Sequence, residues 1–303
     1  MFKPEHEILE REDVLKEINE SFSRLESSNG EMRYETPTIV IQGDPGYGKS
    51  QVARQYGEKY LNEHVLKGYH PFVFTLHAGD LSELYHSYKD LAATLLIKDS
   101  EIKRITGSLH EQLSSLIHLV SGKLSEIEYP GWLIIVDNLM NWKVNEEKEN
   151  QSIFKYIPYY GNPDTASWGK GRVLITTQYK GIFRDGIPSV KLQLSEASAI
   201  DLLLLVAGEE KPNDAKAMDV LKKVVAQVDC IPLALVSAAV YKSAMMKTRK
   251  DFTWKNYSDD LDRSVLSLKC RASSTYQQEC YTEAVKMAQT HPCLLYTSDA
   301  ADE

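Results

Sequence analysis

Eight consecutive residues constrain this chain more than any others: Gly43-Asp44-Pro45-Gly46-Tyr47-Gly48-Lys49-Ser50. They fit the pattern G-x-x-x-x-G-K-[ST] at every fixed position. The short apolar run Ile39 to Ile41 comes before them, and Val52, Ala53, Tyr56, Tyr60 and Leu61 follow at helical spacing. Glycine admits positive φ, so successive backbone N–H groups turn inward around phosphate oxygens. A helix starting near Lys49 aims its positive end at the same phosphates. In this pattern the lysine reaches the β- and γ-phosphates and the Ser50 hydroxyl ligates Mg²⁺. Gly43, Gly46, Gly48, Lys49, Ser50 and the adjoining Gln51 are therefore the expected binding residues for ADP or ATP with Mg²⁺.

The surrounding pattern predicts an α/β fold. A helical stripe runs from Arg11 through Val14, Leu15, Ile18, Phe22 and Leu25. Further strands are predicted at Phe72–Leu76, Trp132–Val136, Val173–Thr177 and Val190–Leu192. Helical material containing Leu81, Leu84, Tyr88 and Leu91 continues to about Leu124. Strands alternating with helices make a parallel sheet with helices on both faces. After Leu194 the strand pattern stops. Ser195 is read as the N-cap of a helix through Ile200, Leu203 and Leu204, and further helices are predicted over 214–228 and 233–242.

Asp137 closes the run Leu133-Ile134-Ile135-Val136, and a carboxylate at the end of a buried strand beside the loop strand suits Mg²⁺ held through water. Lys49 and Asp137 are the expected catalytic residues, and Ser50 and Asp137 the metal-holding ones. Asn138 follows, where many ATPases of this kind carry a second acid that activates water.

Composition removes several alternatives. The 303 residues allow two domains at roughly 100 to 200 residues each. Acids outnumber bases 43 to 35, a net charge of −8, which argues against a nucleic-acid wrapper or a polybasic membrane binder. Four cysteines without a CxxC pair suggest neither zinc ribbon nor disulfide framework. The charged start is no signal peptide and no apolar run is long enough for a bilayer, so a cytoplasmic protein is expected. The eight histidines lack HExxH spacing. The tract 145–151 reads as a solvated loop, and Tyr156, Tyr159, Tyr160 and Trp168 read as loop packing.

The order of these parts resembles the NB-ARC domains of STAND-class switch ATPases, found in apoptosome and plant resistance proteins. Leu9-Glu10-Arg11-Glu12 resembles the segment that precedes that domain, with Glu10 in the glycine position; the resemblance makes Arg11 an adenine-side residue. The stretch from Gly171 to Gln178 is similar to the sensor strand, with Gln178 where the family usually has arginine. Cys230-Ile231-Pro232-Leu233-Ala234-Leu235 resembles the Gly-Leu-Pro-Leu-Ala-Leu motif of the helical lid, with cysteine replacing glycine. By that resemblance Gln178 and Pro232 join the nucleotide-binding set.

The resemblance implies a P-loop domain over 1–194, a helical lid over 195–268 and the start of a winged helix over 269–292. Too few residues precede Leu9 for a death-fold effector domain. The family's winged-helix histidine and sensor repeats are expected beyond Pro292. Residues 293–303 (CLLYTSDAADE) share no periodicity with the rest. Reverse-translated, they fit a transposase mosaic end and adapter used for sequencing libraries, so they are expected to be foreign and to pack on nothing.

The function implied is a regulatory switch in signalling, apoptosis or innate immunity. ADP would hold a closed state between sheet domain and lid, and ATP exchange would open it, with protein partners and a homo-oligomer of the full protein but no nucleic acid or membrane. With Asn138 unable to act as a base and no cation at Gln178, hydrolysis slower than about one turnover per minute is expected, against a median enzyme near 10 s⁻¹. Another residue could still supply a base, and Asp44, in the loop itself, could be reached. The competing reading is a working AAA+-like ATPase acting on nucleic acid or protein, which calls for an acid after Asp137, an arginine finger and a basic groove. A P-loop kinase would call for an arginine-bearing lid, and none is visible.

Overall fold

The computed structural model describes residues 9–28, 36–128, 130–140, 156–158, 168–179 and 187–269, with side chains through residue 263. The expected winged-helix start, the adapter-like tail, Tyr159, Tyr160 and the 145–151 tract lie outside the described residues. The chain divides into two compact units. One comprises Arg11–Asp44 and Lys49–Leu192; the other takes in Gln193 onward together with Leu9, Glu10 and Pro45–Gly48.

In the first unit the elements are α1 (Glu12–Ser28), β1 (Thr38–Gln42), α2 (Lys49–Val65), β2 (Phe72–His77), α3 (Leu81–Thr94), α4 (Asp99–Ile102), α5 (Leu109–Ser125), β3 (Trp132–Asp137), β4 (Gly171–Thr177) and β5 (Ser189–Lys191). The five strands form one sheet in the order β2-β3-β4-β1-β5, with every pairing parallel. All six residues of β3 are buried, as a central strand covered on both faces requires.

Helix starts follow local chemistry. Asp80 caps α3 by accepting from the Glu83 N–H at 2.8 Å. Ser108 and Glu111 form a reciprocal capping box on α5. Leu84, Tyr88 and Leu91 of α3 pack with Leu113, Leu116 and Val120 of α5 and with the β3 residues Ile134 and Val136. Tyr156 and Trp168 are buried in the same core, where the Tyr88 hydroxyl donates to the Tyr156 carbonyl at 2.5 Å and Trp132 Nε1 donates to the Trp168 carbonyl at 2.8 Å.

Helix α1 buries Val14, Leu15, Ile18 and Phe22, the stripe its spacing predicts. Arg172 on β4 ties it down. The guanidinium donates to both Glu26 carboxylate oxygens at 2.7 and 3.0 Å and to Tyr56 Oη at 3.0 Å, and lies over the rings of Phe22 and Tyr60. Burial pushes the Tyr56 phenol up to about 12, although Arg172 works the other way. Leu61, expected on the buried face of α2, is 39% exposed, and Tyr56, Gly57 and Tyr60 carry that face instead.

From Gln193 onward the regular elements of the second unit, among its described residues, are helices: α6 (Glu196–Ala207), α7 (Ala215–Gln227), α8 (Pro232–Thr248) and α9 (Trp254–Lys269). Ser195 caps α6, and Gly208 ends it in the left-handed conformation. Its core joins Leu203, Val224, Val225, Leu235, Ala239, Tyr257 and Leu261. Lys242 is buried against Glu209 and sits 5.0 Å above the Trp254 ring, whose Nε1 donates to Glu209 Oε2 at 2.8 Å. No helix among the described residues is long and apolar enough to cross a membrane.

Candidate nucleotide-binding site

In a parallel sheet all strand C-termini emerge at one edge, and ligands of open α/β sheets bind there. Here that edge carries the Gly43–Ser50 loop after β1, and Asp137 and Thr177 at the ends of β3 and β4. Strand register aligns Ile41 of β1 with Thr176 of β4, and Val136 of β3 with Ile175. Strands are spaced by about 4.8 Å, so the loop strand and the Asp137 strand are roughly 10 Å apart with β4 between them.

The loop has the backbone its glycines allow. Gly46 and Gly48 stand at φ +82° and +80°, a region that side chains disfavour. Among the described residues, no atom beyond its chain neighbours lies within 4 Å of the position a Cβ would take on Gly48, so there it is conformation that favours a glycine. Lys49 opens α2 and its Nζ donates to the Asp44 carbonyl at 3.2 Å, with Ser50 next on the same helical turn. The positive end of α2 therefore coincides with the lysine and the hydroxyl.

Asp137 is 4% exposed, and its Oδ1 accepts a 2.6 Å hydrogen bond from Thr176 Oγ1. The Thr176 hydroxyl in turn accepts from the Asn138 N–H at 2.8 Å. Next to it Thr177 Oγ1 donates to the Leu139 carbonyl at 2.7 Å and accepts from the Tyr179 N–H at 3.1 Å. Asn138 itself is left-handed at φ +56°, a conformation asparagine tolerates better than most residues. The carboxylate is thus oriented by a neighbouring strand, which suits a group that must present one oxygen to a hydrated Mg²⁺. Among the described residues no group of three or more His, Cys, Asp or Glu side chains converges to hold a metal, and Mg²⁺ at a nucleotide needs only one or two carboxylates beside phosphates.

Lys49, Ser50 and Asp137 are thus carried to one edge of one sheet. Gln51 follows on α2, half-buried. Gln178 follows β4, with its Nε2 at 3.3 Å from Met140 Sδ. Arg11 stands just before α1, 11% exposed and 3.4 Å from Asp13 Oδ1. Pro232 is the first residue of α8, a position where its missing N–H is harmless. Within the helical unit the next N–H, of Leu233, donates to the Gly46 carbonyl at 3.1 Å. The sequence reading gave the end of β4 a role only through Gln178, whereas it is Thr176 that holds the carboxylate. Its signal, a paired threonine closing an apolar strand, is weak without the register.

No family model and no curated protein matches the sequence. The fold is similar to that of Cdc6p from Pyrobaculum aerophilum, with a TM-score of 0.53 over 94% of this chain and 83% of that one, at 12% identity. It is likewise similar to the ORC2 protein of Aeropyrum pernix, solved as ADPNP-ADP complexes, with a TM-score of 0.52 over 90% and 73% of the two chains, at 14% identity. The likeness is one of fold: a P-loop NTPase sheet with flanking helices, followed by a helical region.

Proposed function

We propose that the chain binds ATP and ADP with Mg²⁺ through the Gly43–Ser50 loop and works as a AAA+-type ATPase on a macromolecular client. The observation that carries this is the delivery of the phosphate-binding loop and the Thr176-oriented Asp137 to one edge of a parallel sheet. Lys49 and the loop N–H groups would hold the phosphates, and Ser50 and Asp137 the Mg²⁺, which neutralises phosphate charge when bound. The shared fold with Cdc6p and with an ORC2 protein solved with ADPNP and ADP supports this reading ahead of the NB-ARC switch expected from sequence. The switch keeps one specific observation in its favour: the Pro232 motif, whose Leu233 N–H is held by the loop carbonyl of Gly46.

Calorimetry with Mg-ADP, followed by native mass spectrometry of freshly purified protein, tests both readings. Binding with continuous ATP turnover that a DNA or protein client stimulates supports the AAA+ reading. Tightly retained ADP with negligible turnover supports the switch. Protein that binds neither nucleotide at millimolar concentration refutes both.

A further inference from the structure

Asn138 stands where a water-activating acid is expected, and the fold supplies a carboxylate beside it from another strand. Strand β2 runs next to β3 with His77 in register with Asp137. The chain then crosses the same edge: the Ala78 N–H donates to the Asp137 carbonyl at 2.9 Å, and the Met140 N–H donates to the Ala78 carbonyl at 3.3 Å. Gly79 and the cap residue Asp80 lead into α3, whose third residue is Glu83. The Glu83 side chain folds back over Gly79. The point where a Gly79 Cβ would stand lies 2.5 Å from Glu83 Oε2 and 3.5 Å from Asn138 Nδ2, so carboxylate and amide flank one gap at the edge that carries Asp137.

We propose that Glu83 is the general base of ATP hydrolysis in this chain; this rests on the nucleotide-binding reading above. A water oxygen forms the new bond to the γ-phosphorus, and the bond from that phosphorus to the bridging oxygen breaks with its electron pair leaving on ADP. The water proton passes to the Glu83 carboxylate, and the products are ADP and inorganic phosphate. Asn138 acts as a hydrogen-bonding partner for the same water, a role open to an amide that cannot take a proton. Glu83 is exposed, so water reaches its carboxylate. Gly79 has a matching purpose: any side chain there displaces the carboxylate.

The experiment compares wild type, Glu83→Gln and Gly79→Ala, each with its Mg-ADP affinity, its ATP turnover, and the nucleotide that stays bound after ATP loading and gel filtration. A positioned base is worth about 100-fold or more. Glu83→Gln is expected to keep wild-type ADP affinity, lose turnover by about that factor and retain ATP where wild type retains ADP. Gly79→Ala is expected to lose about 10-fold with Glu83 still present. Adding Asn138→Asp to Glu83→Gln restores turnover, because aspartate tolerates the left-handed backbone. A carboxylate that only stabilises the start of α3 lowers the melting temperature and leaves turnover alone, which overturns the proposal. Wild-type protein that binds Mg-ADP but shows no hydrolysis overturns it as well, with the nucleotide reading intact. Failure of wild type to bind Mg-ADP brings down that reading and this one together.

Discussion

The Asp137–Thr176 edge of the sheet and the Asp229–Pro232 turn of the helical unit hold functional candidates by opposite means. At the edge, Asp137, Thr176 and Thr177 are buried, and rigidity comes from side chains whose polar atoms find partners. At the turn, Asp229 and Cys230 are consecutive non-glycine residues at φ +54° and +55°, and backbone bonds hold them. The Asp229 N–H donates to Ala226, that of Cys230 to Val225 and that of Ile231 to Val228, all at 3.1 to 3.2 Å. The same left-handed conformation occurs at the edge, but on asparagine, which bears it cheaply. One region is stiff because its polar groups are satisfied. The other is held in place against its own preference.

Breaking the edge at its charged entry has the largest expected effect. On the proposed nucleotide-binding reading, Lys49→Ala removes a charge-assisted phosphate contact, worth about 2 to 5 kcal/mol, and Mg-ADP binding is expected to fall below detection in a calorimeter. The variant also loses ligand-induced protection against melting, about 2.7 kcal/mol at ligand 100-fold above Kd. An ADP affinity equal to wild type would remove Lys49 from the site.

Thr176→Val tests the satisfied network directly. The substitution keeps the shape and deletes a hydroxyl that serves Asp137 and the Asn138 N–H, leaving buried groups short of partners. Such losses cost about 1 to 3 kcal/mol. The urea midpoint is expected to fall, and the Mg²⁺ dependence of nucleotide binding to weaken as Asp137 loses its orientation. An unchanged midpoint and Mg²⁺ titration would mean the carboxylate is positioned by its strand alone.

These two residues also mark how far the sequence could be read. Lys49 was legible because the loop's backbone requirement is local: two positive-φ glycines and a helix start lie within a few residues. Strands β1 to β4 were legible as apolar runs, and Asp137 as the polar end of one. Thr176 and the proposed base Glu83 were not, since their placement depends on which strand lies beside which, and β3 meets β2 and β4 only through long-range register. The helical unit was legible in part. Helix α8, expected over 233–242, runs from Pro232 to Thr248, because its apolar and alanine-rich sequence has no polar face to mark an end. Helix α9 escaped notice because its buried residues Trp254, Tyr257 and Leu261 are sparse among charges.

Pro232→Ala probes the turn with a smaller effect. The ring fixes φ at the first position of α8, just before the Leu233 N–H that bonds to Gly46. Freeing it increases the entropy of the unfolded chain by an amount worth about 0.4 to 1 kcal/mol. A comparable drop in ADP affinity, a few-fold at most, is expected if this turn steadies the nucleotide loop. Full affinity with only the stability loss would make Pro232 a helix-start residue and nothing more.

The smallest change expected is also the one that separates strain from function. Cys230 occupies a left-handed position for which glycine has no steric cost, and a residue with a Cβ is disfavoured there by about 1 to 2 kcal/mol. Cys230→Gly relieves that strain, while the greater freedom of glycine in the unfolded chain takes back about 0.5 to 1 kcal/mol. The net change is a small stabilisation, read as a rise in urea midpoint at constant slope. Cys230 is half-buried against the core of the helical unit, and burial, helped by Asp229 and Glu196, pushes its pKa up, away from a reactive thiolate. If strain at the turn serves only to be tolerated, ADP affinity in Cys230→Gly stays at the wild-type value. If the strained backbone is what presents Pro232 and Leu233, relaxing it weakens ADP binding while the protein becomes more stable. A variant less stable than wild type would show that the Cys230 side chain contributes packing greater than the strain it imposes.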